Sequence, residues 1–228
     1  MMRLKSNALI KNLLVAIVVF TSCGLNSQIK DSTVYEKAKM QWFKVAKLGI
    51  FIHWGLYAVE GIDESWSFFN GYISHEDYLK QTKGFTAKKY DPDNWAKLIN
   101  ESGAKYSVIP TKHHDGFCLY DTKYTDFKVT NPEFPFASNP KSNVYAEIMQ
   151  ACRDEGMVVG AYFSKPDWTS PYFWWPYYPP KDRNPTYDIT KHPERWQKFI
   201  DYTHNQLNEI TSEYGPVDIL WLDGCWVM

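Results

Sequence analysis

The chain has 228 residues, with 25 Lys and Arg against 26 Asp and Glu and a formal net charge of −1. So balanced a charge excludes the basic footprint of a nucleic-acid binder or of a protein drawn to an anionic membrane surface. Aromatic residues are abundant, with 10 Trp, 16 Tyr and 13 Phe; most belong in a core, but planar faces edged by polar groups also suit sugar rings.

Residues 1–22 read as a signal peptide. Arg3, Lys5 and Lys11 stand without an acid, and Leu13 to Phe20 is an apolar run too short to span a bilayer. Thr21-Ser22-Cys23-Gly24 resembles a bacterial lipoprotein cleavage box with Cys23 as the lipidation site, and residues 23–34 then form a tether. The expected product is exported, periplasmic or anchored to the outer membrane, with the lipid as its one membrane contact. Removing residues 1–22 deletes three basic groups and no acid, which leaves 22 basic against 26 acidic groups and a net charge of −4. Cys118, Cys152 and Cys225 have no metal-site spacing and read as buried free thiols.

Tyr35 to Lys47 reads as a lead-in helix, and Leu48 to Gly55 as a nearly continuous apolar strand ending in His53 and Trp54. A polar, aromatic loop follows through Trp66, Phe68 and Phe69. His75 to Lys80 and Asp93 to Glu101 are short helices, the second bracketed by Pro92 and Gly103. Lys105 to Pro110 is a second strand that runs into Thr111-Lys112-His113-His114-Asp115-Gly116. Asn143 to Glu155 is helical and closed by Gly156; Met157 to Phe163 is a third strand reaching Asp167 and Trp168. Residues 169–191, with Pro171, Pro176, Pro179 and Pro180, form a long loop over one end of the sheet. A long helix, Pro193 to Tyr214, precedes the fourth strand, Val217 to Leu222, which stops at Asp223 and Gly224. Strands alternating with helices and lacking hairpin signals predict an α/β fold with a parallel sheet and right-handed crossovers.

His53, His113, His114, Tyr162, Asp167 and Asp223 all fall at or just beyond the C-terminal ends of these strands, where parallel α/β folds place their chemistry. Asp223 is the first candidate, although Asp there also suits the cap of a following helix. Two chemistries fit the cluster. A metal could take His53, His113 or His114, and Asp223; adjacent residues of an extended segment point to opposite sides, so His113 and His114 share an ion only in a loop. The alternative is carboxylate catalysis by Asp223, with imidazoles and Tyr162 holding hydroxyls, and no metal or cofactor.

Taken together, GIFIHWG (49–55), AKYSVIPTKHHDGF (104–117), AYFSKPDW (161–168) and YGPVDILWLDG (214–224) resemble the α-L-fucosidases of glycoside hydrolase family 29, from about Trp42 to the end of the chain. The resemblance implies a (β/α)8, TIM-like barrel of which this chain supplies about the first four β/α units, over residues 35–228. It implies a retaining, exo-acting hydrolase of terminal α-L-fucose on glycans or glycoconjugates, with Asp223 as the nucleophile that forms a covalent fucosyl-enzyme intermediate. His53, Trp54, Trp66, His113, His114, Tyr162 and Trp221 match substrate-binding positions. Many relatives carry Glu directly before Trp in the loop after the first strand; here the order is Glu64-Ser65-Trp66, so the pattern by itself assigns Glu64 no role.

The family's barrel continues past the nucleophile strand and takes its general acid/base from that later part, whereas this sequence stops at Met228. The expectation is therefore the front half of a fucosidase active site on a truncated chain lacking the acid/base half. The alternatives are a sugar-binding or vestigial half-barrel without turnover, and a metal-dependent hydrolase on the same architecture.

Overall fold

The computed structural model describes residues 40–174 and 182–224. The signal-peptide, Cys23 and tether readings, and Cys225, lie outside the described residues. The chain divides between Lys47 and Leu48 into two units. In the first, residues 40–46 form helix α1, inside the expected lead-in helix. Among the described residues, no helix is long and apolar enough to cross a membrane.

The second unit is a four-stranded sheet in the order β1-β2-β3-β4, formed by Gly49–Phe51, Tyr106–Lys112, Val158–Ser164 and Ile219–Asp223. All three pairings are parallel, which is the α/β architecture expected. Helices α2 (Trp66–Phe69), α3 (His75–Lys80) and α4 (Pro92–Glu101) lie between β1 and β2; α5 (Val144–Asp154) and α6 (Pro193–Ser212) form the next two crossovers. The aromatic stretch expected as pure loop contains α2, a single helical turn.

Helix boundaries follow from local chemistry. The Asp91 side chain accepts from Asn94 N at 3.1 Å to cap α4, Pro92 occupies the first turn, and Gly103 just beyond the helix adopts φ +86°. Helix α5 buries Val144, Ile148, Met149 and Cys152 on one stripe. Ile148, Met149 and Cys152 pack with Ile109, Val159, Ala161 and Phe163 from the outer face of the sheet to form one core, and Val144 joins a second. The second core, rich in aromatics, lies over the loops and includes Tyr78, Phe85, Phe117, Phe136, Trp168 and Phe199.

Strand β2 runs two residues further than the apolar pattern suggested, to Lys112. Pro110 lies inside it, and the β2–β3 register shifts between Pro110 and Lys112. Proline has no N–H to give the ladder, so the strand slips where the donor is missing. Beyond the slip, Lys112 turns into the interior and pairs with Asp167 at 3.1 Å, both side chains being buried. The Lys112 ammonium also lies 4.8 Å from the ring centroids of both Phe163 and Tyr202. Asp167, expected at the strand-end cluster, is thus a buried partner of Lys112. Tyr202 of α6 donates to the same Asp167 oxygen at 3.0 Å.

Removing one member of such a buried pair strands the other charge without solvent. Lys112→Met is expected to lower the free energy of unfolding by about 3–5 kcal/mol, measured by denaturant titration. The double variant Lys112→Met/Asp167→Leu should recover part of that loss, because no charge is then left behind.

Candidate active site

Each strand delivers its groups to one end by register. Ser164 is the register partner of Asp223, and Tyr162 that of Trp221. Tyr162 and Asp223 therefore share a face on adjacent strands, offset by two residues, and the Tyr162 hydroxyl donates to Asp223 Oδ2 at 2.6 Å. His53 follows β1 on the side of Phe51, with the two rings stacked at 4.8 Å. After β2 the chain turns back, with Gly116 N donating to His113 O at 3.1 Å and Gly116 at φ +78°. A Cβ there would lie 2.3 Å from Asp167 Oδ1, so both the backbone and the space call for glycine.

That turn brings His113 and His114 together, with ring centroids 4.5 Å apart. The loop conformation needed for both to face one site is therefore present. His113 stacks on Tyr162 at 5.8 Å and 11° and meets His53 edge to face at 5.4 Å. His113 Nε2 is 3.2 Å from Glu64 Oε2, and His53 Nε2 is 4.0 Å from Glu64 Oε1. His114 Nε2 is 3.7 Å from Asp223 Oδ2. The Nδ1 atoms of His113 and His114 bond to Ser65 Oγ and Ser164 Oγ respectively.

Burial keeps the two adjacent imidazoles, His113 and His114, neutral beside the Asp223 carboxylate. Burial, together with the neighbouring imidazoles, holds His113 well below the ordinary histidine range. Burial, then Lys112 and His53, pushes His114 down to about 3. Burial and the hydrogen bond to Asp223 raise the Tyr162 phenol, so it remains a proton donor. Beneath the turn, Asp115 accepts from Tyr78 OH at 2.5 Å and from Phe117 N at 3.0 Å. Burial lifts its carboxyl to about 7.

Of the anticipated residues, His53, His113, His114, Tyr162 and Asp223 converge directly. Trp66 borders them, its ring 5.4 Å from His114 and perpendicular to it. Trp221 lies two residues down β4 against Phe51, at 5.4 Å, and is half exposed. Trp54 faces elsewhere: it stacks on Tyr90 at 5.5 Å and lines a separate cavity of about 420 Å³ with Phe85 and Trp95. Glu64 joins the site between His53 and His113. Ser65, Ser164 and the buried Tyr57 were not anticipated; Tyr57 lies 5.9 Å from His113, ring to ring. Two trios, His53-Glu64-His113 and His113-His114-Asp223, have donor atoms within 4.8 Å of one another and could hold a metal ion.

A half-exposed carboxylate, neutral imidazoles and aromatic rings thus meet at the C-terminal ends of parallel strands, where barrel-type α/β folds place their sites. The comparisons agree. The alpha-L-fucosidase family model matches residues 23–228. An alpha-L-fucosidase of Branchiostoma floridae is 28% identical over 205 residues, and a plasma alpha-L-fucosidase of Homo sapiens 28% over 200. These alignments cover 81% and 80% of this chain but 41% and 39% of those proteins. Among solved structures, alpha-L-fucosidase isoenzyme 1 from Paenibacillus thiaminolyticus is 36% identical with a TM-score of 0.68, covering 82% of this chain and 43% of that one. A Bacteroides thetaiotaomicron GH29 alpha-L-fucosidase is 33% identical with a TM-score of 0.67, covering 82% and 41%. The chain belongs to the alpha-L-fucosidase family, spans about 40% of the length of the curated relatives it matches, and its four parallel strands match the N-terminal part of the family's (β/α)8 barrel.

Burial of the neutral imidazole gives stability a definite pH dependence. The unfolded chain takes up a proton at His114 near 6.5, whereas the folded protein does so near 3. Stability from this group is complete above about 6.5 and falls as pH drops toward 3. Asp115 acts the other way: its carboxyl goes from 3.8 unfolded to about 7 folded, so it lowers stability as pH rises through that interval. In urea titrations across this range, His114→Gln should flatten the acid limb and Asp115→Asn should steepen it. Unchanged slopes would show that neither group is buried as described.

Proposed function

We propose that this chain carries the nucleophile-bearing half of a retaining, exo-acting α-L-fucosidase site that releases terminal α-L-fucose from glycans or glycoconjugates. The observation that carries this reading is the Asp223 carboxylate, 38% exposed at the end of β4, held by Tyr162 at 2.6 Å and faced by His114 at 3.7 Å. Two related structures support the substrate class: one from Lactobacillus casei is described in complex with alpha-L-fucose product, and one from Bacteroides thetaiotaomicron as a trapped covalent intermediate with 2-fluoro-fucosyl fluoride.

An Asp223 oxygen attacks the anomeric carbon as the bond to the leaving oxygen breaks, and a second carboxyl group gives that oxygen its proton. Water, deprotonated by the same group, then displaces Asp223 and returns it as a carboxylate with configuration retained. The family pattern assigns the second carboxyl to a later part of the barrel. Positive charge grows at the anomeric carbon in both steps, so cationic imidazoles beside it would raise the barrier. Burial removes that penalty by keeping His113 and His114 neutral. Tyr162 aligns the carboxylate and shares its charge until the ester forms. Residues 1–22 and Cys23 place the enzyme outside the cytoplasm in this reading.

With an aryl α-L-fucoside and the full-length enzyme, Asp223→Asn should lower kcat by on the order of 10⁴-fold. Asp223→Gly with added azide should yield the inverted β-fucosyl azide. Undiminished turnover by Asp223→Asn would refute the assignment. Tyr162→Phe should lower kcat/KM by roughly ten- to a hundred-fold, the worth of one hydrogen bond to a charged group. Activity should survive exhaustive chelation; its loss, with recovery on adding metal, would favour the His113-His114-Asp223 trio as an ion site.

A further inference from the structure

Away from the Asp223 cluster, the cavity of about 420 Å³ beside Trp54 falls in the size range of small-ligand sites. Its wall is aromatic. Trp54 stacks on Tyr90 at 5.5 Å and 12°, and Trp95 of α4 stands edge-on to both, at 5.3 and 5.4 Å. Phe85 lies 5.1 Å from Trp54 and is buried. The Tyr90 hydroxyl donates to Val144 O at 3.0 Å, which fixes that ring, while Trp54, Tyr90 and Trp95 all remain only half-buried.

The rim is positive, because Lys88 and Lys89 are exposed on it. Among the described residues, neither lysine has an ion-pair partner; Asp91 is engaged in capping α4, and Asp93 pairs with Lys141 at 2.6 Å. The turn that carries the lysines is strained. Ala87, also at the cavity, adopts φ +41°, in the left-handed region that side chains avoid, and its carbonyl accepts from Tyr90 N at 2.8 Å. Strain of this kind persists only where the surroundings over-determine it, and it gathers at ligand sites.

We propose that this cavity is a second binding site, for an acidic saccharide that carries a sulfate ester or a carboxylate. Apolar C–H faces of the sugar pack on the half-buried rings, and the two ammonium groups meet the anion. The lysines repel a cationic ligand. A planar base finds no slot, since Trp54 and Tyr90 already stack on each other. Binding here is separate from turnover at Asp223, so the proposal stands or falls independently of the fucosidase reading.

The test is isothermal titration of the full-length protein with monosulfated lactose, a glucuronate disaccharide and unmodified lactose. At least one acidic sugar should bind, the tighter of the two identifying the anion, and lactose should bind more weakly. Lys88→Ala/Lys89→Ala should weaken the acidic ligand by roughly tenfold, with turnover of an aryl α-L-fucoside unchanged. Added salt should weaken it in the unmodified protein. Trp95→Phe should keep part of the affinity and Trp95→Leu little, compared at matched unfolding midpoints. No heat with any sugar, equal affinity for lactose and the acidic sugars, or affinity indifferent to the lysines would each overturn the proposal. So would binding of adenosine monophosphate in the absence of saccharide binding.

Discussion

The buried Lys112–Asp167 pair is the constraint from which the site is built. It ties the end of β2, the loop after β3 and helix α6, through Tyr202, to one point beneath the His113–Gly116 turn. Asp167 is fully engaged: its other oxygen receives Thr169 N at 3.2 Å and Ser170 N at 2.9 Å, so the loop after β3 folds around the same carboxylate. Desolvating two charges is tolerable only with such complete satisfaction of donors and acceptors. The turn above packs directly on this pair, since Gly116 fits against Asp167 with no room for a side chain.

Aromatic packing supplies the wall. Phe69, Trp168 and Trp174 stack in sequence, with centroids 4.9 Å apart at each step, and Trp66 stands edge-on to both Trp168 and His114. The described parts of the proline-rich loop bind this stack through backbone acceptors: Trp174 Nε1 donates to Asn184 O at 3.1 Å, and Trp168 Nε1 to Arg183 O at 3.4 Å. Large rings held on both faces have few rotamers left, and so the imidazoles that lean on them are held without long polar side chains.

Within that frame the Asp223 carboxylate lies beside two imidazoles that are kept uncharged, His113 and His114. The same burial that excludes water from His113 and His114 makes them poor bases, which is what the proposed role of Asp223 requires of its neighbours. Glu64 is the second carboxylate of the cluster, but its contacts are with His53 and His113.

Alternation of strand and helix patterns determined the parallel α/β class. The rule that parallel strands present function at their C-terminal ends picked out His53, His113, His114, Tyr162, Asp167 and Asp223, because period and polarity are local properties of the chain, yet Asp167 is buried against Lys112. Partnership is not local. Nothing near Lys112 announces Asp167, 55 residues away, and an apolar count ends β2 at Pro110 because a lysine in a strand reads as its exit. Trp54 and Trp66 look alike as aromatic residues in the same loop region; packing alone turned one toward Tyr90 and the other toward His114. Ser65 and Ser164 are equally silent in sequence, since a hydroxyl gains its meaning from the ring nitrogen it meets across about 50 residues. The sequence by itself determined which residues reach the mouth of the sheet, and the tertiary structure decided which of them touch and which are buried and so kept neutral, because contact and burial join residues far apart in the chain.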